Sequence, residues 1–191
     1  NSLCVILMLQ ALDVSLETAL QALAGFQPLA GRGQLKTVAF PGGTFTLIDE
    51  SYNANPASMK AGFVSLGAKP VGPGGRRVVV LTDMLELGEH SRALHEGLAP
   101  AIVAAGLDLV HTAGPQMRLL HDALAPALRG EWRETAAELA AEAATLIQPG
   151  DVVMVKGSNG SKASLVAAAL ATLGVAEQEA RVAAEAQGKS A

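Results

Sequence analysis

Between positions 49 and 55 the chain reads D-E-S-Y-N-A-N, with Pro56 immediately after. Two acids, a tyrosine and two asparagines crowd one short stretch. It follows an alternating apolar run, Thr44 to Ile48, of the kind that forms a strand, and it leads into a segment where Met59, Phe63 and Leu66 recur at helical spacing. Asn55 is placed to cap that helix and Pro56 suits its first turn, where a missing N–H costs nothing. Capping explains Asn55 and Pro56. It does not ask for Asp49, Glu50, Tyr52 and Asn53 as well, and ligands in open α/β sheets bind beyond the carboxyl ends of strands, at helix N-termini.

Two further strand ends share this character. After the apolar run Val78 to Leu81 come Thr82, Asp83, Met84, Leu85, Glu86, Leu87, Gly88, Glu89 and His90; after Val152 to Val155 come Lys156, Gly157, Ser158, Asn159, Gly160, Ser161 and Lys162. In a parallel sheet all three turns open on the same edge. Lys156, with Gly157 and Gly160 behind it, could hold a carboxylate or phosphate with its charge and nearby backbone N–H groups. The plainer alternative is a solvated lysine beside glycines that only relieve a turn. Asp83 could bind an amine or assist a metal, or simply form a turn. His90 and His95 are five apart, whereas a zinc pair on one helix face wants four, so no metal site is expected there. Arg32 sits between Gly31 and Gly33, which let the backbone approach a ligand while the guanidinium reaches phosphate or carboxylate; otherwise it is a surface linker arginine. Neither a Walker-type phosphate loop nor a G-x-G-x-x-G dinucleotide fingerprint is present.

The elements that must position these residues follow from the apolar pattern. Two helical stretches fill residues 2–23, with Ser15 as a cap for the second, and a Gly/Pro-rich loop over 25–33 has the composition of a domain boundary. Residues 35–40 and 44–48 predict a hairpin joined by Pro41, Gly42 and Gly43. A helix over 55–68 follows, then alternating strands and helices: 78–81, 91–105, 107–111, 116–128, a weak strand near Trp132, 135–147, 152–155 and 162–173. Short buried strands alternating with helices predict an α/β, Rossmann-like fold, a mainly parallel sheet with helices on both faces. The expected organisation is a short helical remnant of another domain with its linker at 1–33, the α/β domain at 34–175, and an Ala/Glu-rich tail at 176–191.

Composition narrows the classes of function. The net charge of -4 and the dispersal of 14 Lys and Arg supply no basic field, so a nucleic-acid partner is not expected. Cys4 is the only cysteine, which rules out an internal disulfide and favours a reducing, cytoplasmic setting. The apolar N-terminal segment is too short to span a membrane and lacks a basic leader. The chain opens on Asn1 in a helical pattern without an initiator methionine, so it is expected to be a piece of a longer protein.

Five motifs, in order, resemble the Mur ligases: N-S-L at 1–3, P-L-A-G-R-G at 28–33, D-E-S-Y-N-A-N-P-A-S-M at 49–59, D-M-L-E-L-G-E at 83–89 with His95 beyond, and V-K-G-S at 155–158. The resemblance implies an ATP-dependent acid–amine ligase that works through an acyl phosphate, and it is nearest to the branch that joins D-alanyl-D-alanine to UDP-N-acetylmuramoyl-tripeptide. It implies that residues 1–33 end a central ATPase domain that carries the phosphate loop and the Mg2+ ligands, and that the rest is the family's C-terminal lid, inactive without its own upstream domains. By the same resemblance Asn1, Arg32 and Glu50 face ATP, and Asn53, Asn55, Asp83, Lys156 and Ser158 face the dipeptide. Catalytic groups lie outside the chain. Two departures stand out: Glu50 where the family has a second Asp, and Thr82 where it has Gly. The alternatives are the C-terminal domain of another Mur-type or folylpolyglutamate ligase, or a non-catalytic Rossmann-like binding module.

Overall fold

The structure is a computed structural model and describes residues 2–25 and 29–174. Asn1, Pro28 and the tail at 176–191 lie outside the described residues. The chain begins with two short helices packed on each other, α1 (Ser2–Ala11) and α2 (Leu16–Ala24). Ser15 caps α2 as its position predicts, accepting a hydrogen bond from the Thr18 amide at 3.1 Å.

β1 (Gln34–Phe40) and β2 (Gly43–Glu50) pair antiparallel as a hairpin whose tight turn, Pro41-Gly42, puts Gly42 at φ 85. The remaining strands are β3 (Arg77–Thr82), β4 (Leu109–Ala113), β5 (Arg129–Arg133) and β6 (Val152–Lys156). They complete a sheet ordered β1-β2-β6-β3-β4-β5, in which every pair except β1–β2 is parallel. Alternate residues of the central strands point to opposite faces, and both faces are buried. Val78, Val80, Val153 and Val155 join the core under α7 (Ala136–Ala141), α8 (Ala143–Leu146) and the helix at 163–174, here α9. Val79, Leu81, Val152 and Met154 join the core under α3 (Pro56–Gly67), α5 (Ala99–Ala104) and α6 (Pro115–Ala123). This is the predicted α/β sheet covered on both sides, and continuous apolar strands are its signature.

The predicted boundaries moved where glycine and proline intervene. The helix expected over 91–105 is two, α4 (Ser91–Glu96) and α5, because Gly97 ends the first and Pro100 can sit only in the first turn of the second. The helix expected over 116–128 ends at Ala123, and Pro126 opens a separate 3-10 turn. The helix expected over 135–147 is likewise interrupted, at Glu142. The strand placed at 107–111 lies two residues later, since Gly106 at φ 64 makes the turn and Asp108 accepts the Arg77 amide at 2.7 Å before the ladder begins.

The helices after two neighbouring strands leave on opposite faces. β3 leads to α4 and α5 over one core, and β6 leads to α9 over the other. A crevice therefore opens between their carboxyl ends, which is where ligands of open α/β sheets bind.

Candidate functional site

The three polar turns meet on this edge, and Ser158 is where they are tied. Its amide donates to the Asp83 carbonyl at 3.2 Å, its hydroxyl accepts from the Leu85 amide at 3.0 Å, and the same hydroxyl reaches the Ala54 carbonyl at 3.5 Å. One buried side chain thus binds the turns after β2, β3 and β6 together. Ser161 adds to the knot by donating to the Ser158 carbonyl at 2.6 Å and sharing a 2.6 Å hydrogen bond with Thr82. Gly157 is required beside it, because a Cβ there would stand 1.8 Å from the Thr82 hydroxyl.

Lys156 is placed on this rim, but its charge is already engaged. Its ammonium donates to the Asn53 carbonyl at 3.1 Å and pairs with Glu50 at 3.4 Å, and its side chain is only 4% exposed. Lys156 is therefore not the solvated lysine of the plainer alternative: it braces the first turn against β6. Asn55 does what its position first suggests, since its side chain accepts from the Ser58 amide at 2.9 Å while Ser58 returns a bond to the Asn55 amide. The Asn53 side chain folds back onto the Ala54 amide at 2.8 Å.

Asp83 is buried and lies against the start of α6, where both carboxylate oxygens accept backbone amides, Met117 at 2.8 Å and Gln116 at 3.3 Å. Gly114 precedes that helix and carries no side chain to cap it, so Asp83 supplies the cap from β3. A Cβ on Gly114 would sit 2.3 Å from the Asp83 carboxylate. Burial pushes the Asp83 carboxyl above the usual carboxylate range, against the lowering effect of the two amides and of nearby His95.

His95 holds the second turn from below. It is fully buried, its Nε2 accepts the Met84 amide at 3.0 Å, and its Nδ1 donates to the Ser91 carbonyl at 2.7 Å, an arrangement that uses both nitrogens of one tautomer. Sequence reasoning weighed His95 as a metal ligand and noted it beyond the motif at 83–89. Its spacing from Met84 carries no signal of a loop brace, and among the described residues no group of three or more His, Cys, Asp or Glu could hold a metal.

Arg32 stacks on Tyr52, with its guanidinium carbon 4.0 Å from the ring centroid. The glycines around it dock the loop: the Gly31 carbonyl accepts the Tyr52 amide at 3.0 Å, and the Gly33 amide donates to the Asp49 carbonyl at 2.8 Å. Gly31, at φ 74, leaves 3.0 Å between a built Cβ and Tyr52, so a larger residue there would strain the backbone and press on Tyr52. Arg32, Glu50, Tyr52, Asn53, Asn55 and Lys156 line one polar pocket of about 240 Å³. Tyr52 was absent from the predicted site, although its place beside Glu50 was visible. A second cavity, about 290 Å³, opens on the same edge beyond the ends of β3, β4, β5 and β6, with Asp83, Gly114, Glu134 and Lys162 in its lining.

The sites can be set beside known proteins. A family model described as Mur ligase, glutamate ligase domain, matches residues 31–159. The chain is similar to the UDP-N-acetylmuramoyl-tripeptide--D-alanyl-D-alanine ligase of Rickettsia prowazekii, 30% identical over 158 residues that cover 83% of this chain and 34% of the relative. It is similar to a crystal structure of MurF from Acinetobacter baumannii at a TM-score of 0.71 and 28% identity, covering 89% of this chain and 36% of that one. The MurF ligase of Thermotoga maritima, solved in complex with ADP, shares the fold at a TM-score of 0.69 and 23% identity, covering 88% and 36%. The chain spans about a third of the length of these relatives.

Proposed function

This chain belongs to the Mur ligase family, and from that premise we propose that it is the C-terminal part of an ATP-dependent ligase joining D-alanyl-D-alanine to UDP-N-acetylmuramoyl-tripeptide, a step in building peptidoglycan precursors. The single observation that carries the reading is the tie at Ser158, which gathers the three motif-bearing turns onto one edge of the sheet beside two distinct cavities. An enzyme that must hold a nucleotide and an amine at once needs two adjacent sites of different character.

The reaction proposed is phosphorylation of the tripeptide carboxylate followed by attack of the dipeptide amine on the acyl phosphate, with loss of phosphate. Such an intermediate hydrolyses in water, so a lid that closes over it and brings the amine contributes by exclusion and by positioning. Residues 1–33 are proposed to be the end of the central ATPase domain and the linker, and 34–175 the lid. In the polar pocket Arg32 is proposed to reach the nucleotide phosphates and Glu50 its ribose; Asn1 is proposed to serve the adenosine. Asn53, Asn55, Asp83, Lys156 and Ser158 are proposed to form the dipeptide edge, with Lys156 and Ser158 acting by fixing the turns that face it.

ATP supplies the phosphoryl group. Mg2+ coordination is proposed to belong to the upstream domain. The setting is proposed to be cytoplasmic, and no helix among the described residues is long and apolar enough to cross a membrane. The test is phosphate release by the full-length protein. Release should require UDP-N-acetylmuramoyl-tripeptide and D-alanyl-D-alanine together, and release driven instead by a single amino acid such as a diamino acid would refute the assignment.

A further inference from the structure

The side of the β1–β2 hairpin turned toward α3 carries a cavity that the proposed function leaves unused. Strand partners point to the same face of a sheet, so paired residues form cross-strand rows. Leu35, Ile48 and Met154 make one such row across β1, β2 and β6, and Glu50 and Lys156 make the next, at the carboxyl ends of β2 and β6. The opposite face of the hairpin is closed, with Val38, Phe45 and Leu47 in the core beside Val166 and Leu170 of α9. On this side α3 packs over β6 and β3, and Leu35 stays 57% exposed. Between helix and hairpin lies a cavity of about 360 Å³, larger than the two described above and within the range of small-molecule sites. Its floor is the Leu35–Ile48–Met154 row, and its helical wall is made of the small residues Ser58, Ala61, Gly62 and Ser65.

The two ends of the cavity differ in charge. At the end shared with the polar pocket, Lys156 is paired with Glu50 and bonded to the Asn53 carbonyl, so its charge is already engaged. At the other end Lys69 follows the last turn of α3, half-buried and without an acidic partner among the described residues. A half-buried ammonium gives up hydration without gaining an ion pair, which favours an anion beside it. Ser65, in the same lining, offers a hydroxyl about one turn before Lys69. Two lysines against one glutamate make the field in the cavity positive. The apolar part between the ends is aliphatic, and the lining includes no aromatic ring.

We propose that this cavity is an effector site for a small organic carboxylate with an aliphatic body. Lys69 and the Ser65 hydroxyl hold the carboxylate, and the chain lies on Leu35, Ile48 and Met154. Glu50 and Lys156 are walls of this cavity and of the polar pocket alike, so a ligand packed behind them displaces Glu50 and weakens the use of ATP. The binding site stands apart from the function proposed above; its effect on ATP rests on the place given there to Glu50.

The probe is octanoate, with 1-octanol as its uncharged counterpart, added to the full-length protein with isotope-labelled methionine and isoleucine methyl groups. Octanoate should move the Met154 and Ile48 methyl resonances saturably and bind roughly tenfold more tightly than 1-octanol, the effect of one charge-assisted contact at a half-exposed site. Lys69→Gln should bring octanoate down to the level of the alcohol, and Lys69→Arg should keep the difference. Ala61→Leu, which fills the cavity from an exposed helix position, should abolish the binding of both. Saturating octanoate should raise KM for ATP in the unsubstituted enzyme and not in Ala61→Leu. Equal binding of acid and alcohol, undiminished octanoate binding in Lys69→Gln, or shifts that leave Met154 untouched would overturn the site. A KM for ATP unmoved by a filled cavity would overturn the effector role. An enzyme without ATP-dependent turnover would refute the proposed function alone, and the methyl shifts would still decide the site.

Discussion

Ser158 and Asp83 show how residues that resemble ligand groups can first be structural. Each spends its polar atoms on backbone partners that belong to another turn, so the site is assembled by the same atoms that line it. Ser158→Ala removes the acceptor of the part-buried Leu85 amide and should destabilise the protein by about 1 kcal/mol, the net worth of such a hydrogen bond, read from the midpoint of urea unfolding. Gly114→Ala should be worse, because its φ of 117 and the Asp83 carboxylate 2.3 Å from a built Cβ leave no room to relax; soluble yield and thermal midpoint would show it, and near-normal stability would contradict the packing described. The residue types at 49–55, 83 and 156–158 were legible because they exceed what a turn needs. Their partners were not: nothing in the sequence tells that Lys156 faces Glu50, or that His95 reaches back to Met84, since those contacts depend on which strands are neighbours.

At the scale of elements, the strands were legible and the helix ends were less so. Val78 to Leu81 and Val152 to Val155 are apolar on both faces, which only a sheet covered on both sides explains. The two breaks at Gly97 and Pro126 were written in the sequence but overridden by the apolar period around them. His111 joins three of these elements: its ring donates from Nε2 to the Leu146 carbonyl at 3.0 Å and accepts the Glu131 amide on Nδ1 at 2.9 Å. Burial lowers its pKa from 6.5 to about 4. The unfolded chain therefore binds a proton between those values that the folded chain refuses, so stability is fully present above about pH 6.5 and falls as pH drops toward 4, by about 3 kcal/mol for this one group. Urea midpoints measured from pH 7 to pH 4 should decline accordingly, and His111→Gln should flatten that part of the profile. A midpoint independent of pH in the unsubstituted protein would contradict a neutral buried His111.

For the whole molecule, the account divides one edge of the sheet into two jobs. We propose that the polar pocket of Arg32, Glu50 and Tyr52 serves the nucleotide, and that the edge formed by Asn53, Asn55, Asp83, Lys156 and Ser158 serves the incoming dipeptide. The meeting of the turns was foreseeable once the sheet was read as parallel, but the reversal of strand order that puts β6 between β2 and β3, and so opens the crevice, was not written in any local pattern. The most direct measurement is a pair of steady-state titrations on the full-length protein, comparing Glu50→Gln with Ser158→Ala. The account predicts that Glu50→Gln raises KM for ATP and spares that for D-alanyl-D-alanine, while Ser158→Ala does the reverse. Equal effects of both variants on both constants, or no effect on either, would contradict it.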